Sequence, residues 1–281
     1  MKFLLVDGKM LEWNNVVLAE ELIDSQHLIT QKVWFGYGGI PLFEENVNQV
    51  IDQCEQLSIA IPPELKDKRE LARITKRMLN KNKFYRSGLI SIKILVSTSS
   101  VHTIISGNPF HEFIFPFSES GLLVKFSGIK KYAGNSLTRF LFFNERLWQA
   151  SIAELNDKQF QQTVILNEQG YVCESAFNNI YMVAGDELIT PSLQSGCHNN
   201  TIRPVVLKAS EKTGLRISER NFITKEMLLT ADEVFIASEE TGLNWILGIE
   251  TIRYIHYFSK EINVEINQLL KSKAISMHPV I

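Results

Sequence analysis

The stretch Asn167–Pro191, NEQGYVCESAFNNIYMVAGDELITP, decides how this chain is read. Glu168-Gln169-Gly170 turns the chain out of a short strand. A second strand carries Glu174, and a third runs from Asn178 into the Gly185-Asp186 turn before the segment stops at Thr190-Pro191. Glu174 stands among Val172, Phe177, Ile180 and Met182. A carboxylate in such apolar surroundings needs a cationic or hydrogen-bonding partner, or it takes up a proton. Finding that partner is the functional question.

Working outward, the same strand and turn signals recur on both sides. Phe3–Val6 and Val16–Leu18 read as short strands around a Gly8 turn, and Gln31–Tyr37 as a strand ended by Gly38-Gly39. Val47, Val50, Ile51, Cys54 and Leu57 form a helical stripe. Pro62-Pro63 opens a second helix to about Asn80. Leu89–Ser97 and Phe113–Phe117 read as strands, and Ser118–Gly121 as a hinge. Leu122–Phe126 opens the second half, and an irregular stretch from Ser127 to Gly134 leads into an amphipathic helix ending near Leu155. Asn199-Asn200 precedes a helix that starts at Thr201-Ile202-Arg203-Pro204 and stops at Gly214. A short helix from Thr224, a strand over Ala231–Ile236 and a closing helix over Phe258–Leu270 complete the reading. The pattern is α+β in two halves, a smaller one over residues 1–117 and a larger one over 118–281.

Bulk properties narrow the classes. The 281 residues suffice for two cored halves. A net charge of −2 does not suggest a nucleic-acid or membrane-surface partner. No window reaches the length of a membrane span, and Met1–Val6 is too short for a signal peptide. Cys54, Cys173 and Cys197 lie far apart, without metal-ligand spacing, which fits a reduced cytoplasmic setting and no metal.

Five segments in order carry a family resemblance: GYVCESAFNNIYMV around Glu174, ELITP, Ser195-Gly196-Cys197, Thr201-Ile202-Arg203, and ADEVF at 231–235. Together they resemble the class IV pyridoxal-phosphate (PLP) enzymes. That family includes branched-chain and D-amino-acid aminotransferases and aminodeoxychorismate lyase. The resemblance implies a two-domain, D-amino-acid aminotransferase-like fold, a homodimer, and a small-molecule ligand in a cleft near Phe117–Gly121. It also implies that Glu174 bonds the protonated ring nitrogen of PLP, keeping the ring an electron sink. The amides of Thr201 and Ile202, at a positive helix end, would take the phosphate.

The remaining roles do not carry over evenly. Counting back 33 residues from Glu174, as the family's lysine spacing suggests, lands on Leu141. This reads as loss of the Schiff-base lysine. The alternative is Lys131, in Lys131-Tyr132-Ala133-Gly134-Asn135, which needs about ten extra residues near Asn156–Gln162. Gln49 stands where the family has its phosphate arginine, and a glutamine cannot neutralise a dianion. Glu239 falls near the phosphate-binding hydroxyl, where a carboxylate repels phosphate. Asn200 replaces a glycine before the helix, and Gln31-Lys32 stand where the family has a Phe-Glu pair. Arg203 reads as an anion ligand or a solvated side chain, and Trp148 as core or interface. Two readings follow: a family member degenerate at its PLP site, or an active aminotransferase or aminodeoxychorismate lyase using Lys131.

Overall fold

The computed structural model describes residues 1–15, 27–97 and 100–276. The expected strand at Val16–Leu18 lies outside them. The chain divides into two compact units: Met1–Ile114 with the described part of Leu270–Ile281, and Phe115–Leu269. The observed junction thus precedes the expected one at 117/118, and the end of the closing helix belongs to the first unit.

In the first unit, β1 (Phe3–Val6), β2 (Lys9–Glu12), β3 (His27–Phe35), β4 (Gly88–Val96) and β5 (Val101–Pro109) form an antiparallel sheet, ordered β2-β1-β5-β4-β3. Asp7 and Gly8, both at positive φ, make the tight β1–β2 turn. The stripe expected in the first helix is buried: Val47, Val50 and Cys54 of α1 (Phe43–Gln56) pack with Ile29, Val33, Ile90 and Ile92. The helix expected from Pro62 is divided. Pro63–Leu65 forms one 3-10 turn, and α2 (Lys68–Lys81) starts afresh because the Asp67 side chain accepts from Glu70 N at 3.0 Å.

The second unit is built on a longer sheet. Its strands are β6 (Phe117–Lys131), β7 (Gln162–Asn167), β8 (Val172–Ser175), β9 (Asn179–Ala184), β10 (Glu187–Pro191), β11 (Arg216–Arg220), β12 (Glu233–Ser238), β13 (Gly242–Ile249) and β14 (Ile252–Arg253). The order is β11-β10-β9-β12-β13-β6-β7-β8, with β14 on β13. Its helices are α3 (Leu141–Ala153), α4 (Arg203–Lys212), α5 (Lys225–Leu229) and α6 (Phe258–Ser276).

β6 corrects three expectations. Residues 113–115 are bends and 116 is irregular, so only Phe117 of that expected strand is strand. The expected hinge Ser118–Gly121 and most of the irregular stretch 127–134 lie inside β6. Ser and Gly disfavour strand locally, but β6 is flanked by parallel partners, β13 and β7, whose pairing outweighs that preference. Register shifts on both sides absorb the poor fit, and Gly121 adopts φ 65. Because β6 and β7 are parallel, a crossover must join them. That crossover contains α3, and it sets the site.

Candidate active site

Strand register brings two distant residues to one face. Lys131, the last residue of β6, pairs with Asn167 of β7. Glu174 of β8 pairs with Ile165, two residues earlier on β7. Directly paired residues share a face, and so do residues two apart on one strand. The crossover helix α3 covers this face, with Trp148 packed on Ile165 and Ala176. A 43-residue separation therefore ends in contact: Lys131 Nζ lies 2.8 Å from Glu174 Oε1. Both side chains are shut from solvent, at 1% and 0% exposure.

Glu174 has two further donors. Trp148 Nε1 donates to Oε1 at 2.6 Å, and the His198 backbone N–H donates to Oε2 at 2.6 Å. The Lys131 ammonium also lies 5.9 Å from the Trp148 ring centroid. Removing either ion would leave the other buried without its counter-charge, a loss of about 3–5 kcal/mol.

The segment holding His198 is laid down by a left-handed turn. Gly196 has φ 89, and a Cβ there would come within 2.8 Å of Ala133 Cα. Only glycine allows this segment to pack beside the residues that follow Lys131. Asn167 Nδ2 donates to Ser195 O at 3.3 Å, and Asn179 Nδ2 donates to His198 O at 2.6 Å. The His198 ring packs edge-on to Trp148, centroids 5.2 Å apart, and neither ring nitrogen has a hydrogen-bond partner among the described residues. Burial, reinforced by the Lys131 charge, pushes its pKa down to about 3. Burial likewise pushes the Cys173 thiol well above its usual range, with Glu174 adding to the effect, and raises Cys197.

At the start of α4 the chain serves its own donors. Asn200 Oδ1 accepts from Ile202 N at 3.0 Å, and Asn200 O accepts from Arg203 N at 3.0 Å. Thr201 and Ile202 are both buried. Arg203 is neither solvated nor turned to an anion site. It is 4% exposed, and its guanidinium bonds Pro191 O at 2.7 Å and Glu219 at 2.6 Å, tying α4 to β10 and β11. Glu239 is buried just after β12. In the first unit, Gln31 Nε2 donates to Gln49 Oε1 at 3.1 Å and to Asn46 Oδ1 at 2.7 Å.

Sequence spacing and structure differ on the lysine. Leu141 opens α3 and packs on the cluster of Trp148, Ile165 and Ala176; the amine that meets Glu174 is that of Lys131. Residues 154–161 connect α3 to β7, and Lys131 meets Glu174 in space across 43 residues of sequence. Trp148 and His198 were missed as partners of Glu174. For Trp148 the available signal was its place on the helical stripe seven residues after Leu141. His198 acts on Glu174 through its backbone, which leaves no residue-type signal.

Comparison with known proteins agrees with this architecture. The sequence family described as Amino-transferase class IV matches residues 149–243. A Thermotoga maritima protein named "Probable branched-chain-amino-acid aminotransferase" is 27% identical over 172 residues, covering 61% of this chain. The chain spans 60% of that relative's length. A Pseudomonas aeruginosa branched-chain-amino-acid aminotransferase is 21% identical over 270 residues, covering 86% of this chain and 84% of its own. The branched-chain aminotransferase of Thermoproteus uzoniensis superposes with a TM-score of 0.84 at 15% identity, covering 98% of this chain and 96% of its own. The class IV aminotransferase match is thus confined to residues 149–243, and over the chain as a whole the likeness to branched-chain aminotransferases is one of fold.

Proposed function

We propose that this chain retains the class IV aminotransferase fold but has filled the PLP site with its own side chains and does not perform PLP-dependent amino-group chemistry. The observation that carries this reading is the occupancy of Glu174. Its two oxygens accept from Lys131, Trp148 and the His198 amide in a site closed to solvent. Lys131 and Trp148 fill Oε1, so a ring nitrogen would have to reach Oε2 beside the His198 amide, in a site that admits no solvent. The groups expected at the phosphate point the same way. Asn200 takes the Ile202 amide, Gln49 is bonded to Gln31, and Glu239 is a buried carboxylate. None of the three brings the positive charge that a phosphate dianion needs. These residues do not fit the cofactor.

One observation favours the second reading, an active aminotransferase or aminodeoxychorismate lyase: the Lys131 amine does reach Glu174. An absorbance scan at saturating PLP separates the two. We expect no internal-aldimine band; a band that disappears in Lys131→Ala sinks the first reading. Because Lys131→Ala removes a buried counter-ion and can unfold the chain, thermal unfolding of the unaltered protein with and without PLP provides a second readout. We expect an unchanged Tm; a Tm that climbs with PLP concentration reports binding to the folded state and favours the active enzyme.

A further inference from the structure

The charge of −2 averages over an uneven chain. Residues 66–86 contain nine Lys and Arg against only Asp67 and Glu70, so the remainder carries −9. These residues build α2 and its flanks. Leu71, Thr75, Met78 and Leu79 turn into the core. Away from them, Arg69, Arg73, Arg77 and Lys81 are all exposed, at four-residue intervals along one side of the helix. At 1.5 Å per residue this ladder runs about 18 Å. It continues past the helix, because Lys81 and Lys2 sit over the same Phe3 ring at 5.0 and 5.4 Å. Arg73 is also held by Glu70 at 2.6 Å, a surface pair that exchanges readily.

Beside the ladder lies a pocket. Phe35, Ile40, Leu79 and Phe84 line it together with Lys76, Asn80, Tyr85 and Arg86, and no carboxylate is among its lining residues. Tyr85 is 66% exposed, and Arg86 stacks at 5.2 Å over Phe113, itself 61% exposed. Lys76, Tyr85 and Arg86 thus line one pocket, and Phe113 adjoins it through Arg86.

We propose that this surface docks a single-stranded nucleic acid, with the ladder taking backbone phosphates and Tyr85 and Phe113 stacking on bases. Guanidinium groups match phosphate geometry, and unstacked bases offer π-faces that an acidic polypeptide lacks. A duplex would hide those faces. The inference is independent of whether the chain binds PLP.

The test measures fluorescence anisotropy of labelled dT and rU dodecamers with the full chain at 50 and 200 mM salt. Salt-sensitive binding is expected, and preference for one dodecamer tells DNA from RNA. Arg69→Glu/Arg77→Glu should weaken binding at least about tenfold and flatten the log–log salt slope by about 1.4, the share of two phosphate contacts on a single strand. Tyr85→Ala should weaken binding without altering the slope. All three side chains are exposed, and unchanged thermal melting verifies folding. Three outcomes overturn the proposal: no salt-sensitive binding to either dodecamer, no effect of the double charge reversal, or equal binding of polyglutamate or anionic vesicles.

Discussion

His198 carries the clearest pH signature in the molecule. The residue is 2% exposed, both ring nitrogens lack partners among the described residues, and the Lys131 charge stands nearby. Burial and that charge favour the neutral ring and push the pKa from its ordinary 6.5 to about 3. A depressed histidine pKa contributes stability that is present above the unfolded value and lost as pH falls towards the folded one. The window is therefore about pH 6.5 down to 3, with a slope of about 1.4 kcal/mol per pH unit from this one proton. His198→Leu keeps the backbone N–H on Glu174 but removes the titrating ring. Urea unfolding at pH 6.5 and 4.5 should give a variant that loses less stability on acidification than the parent; equal losses would mean that the ring is not the titrating group. Sequence reading found Glu174 and its need for a cation. It left two readings for that cation, Leu141 at the counted position or Lys131, because strand register, which spacing does not reveal, decides which residue meets Glu174. The amide of His198 could not be read, since any residue supplies one.

At the scale of elements, the start of α6 shows why boundaries are easier to read than the contacts that fix them. The periodicity places a closing helix from Phe258, as observed. Its cap comes from far upstream. Glu233, the first residue of β12 and 1% exposed, accepts from the N–H groups of Tyr257, Phe258 and Ser259 at 2.9, 2.8 and 2.7 Å. One carboxylate thus satisfies three donors at the positive end of a helix. In the sequence, Ala231–Phe235 signals a strand and contains nothing that points to a helix start more than twenty residues later. Glu233→Ala should cost about 2–3 kcal/mol by stranding buried donors. Glu233→Gln keeps an acceptor and should cost about 1 kcal/mol, the share due to charge at the helix end. Chemical denaturation of the two variants checks the order; equal losses would assign the whole effect to the missing charge.

Across the whole molecule, α6 joins what the expected boundary at 117/118 kept apart. The helix begins in the second unit, and from Leu270 it belongs to the first. Ala274 is fully buried there, 3.2 Å from where a Cβ on Gly39 would sit, and Lys273 pairs with Glu45 of α1. The closeness depends on small residues at both positions, since Gly39 has no room for a larger side chain. Nothing local in the sequence reveals that a C-terminal alanine answers an N-terminal glycine, because the pairing is set only when the chain folds. Ala274→Asp would bring an uncompensated polar group into this contact and should destabilise the first unit by about 3 kcal/mol. Lys271→Asp, one turn away on the exposed side, should change stability by less than about 0.5 kcal/mol. Trp34 lies in the first unit and Trp148 in the second, so variants that retain one tryptophan at a time report each unit separately. In Ala274→Asp the urea midpoint seen by Trp34 should fall. If only the Trp148 signal moved, the end of α6 would be stabilising the second unit instead, and the division at Leu270 would be wrong.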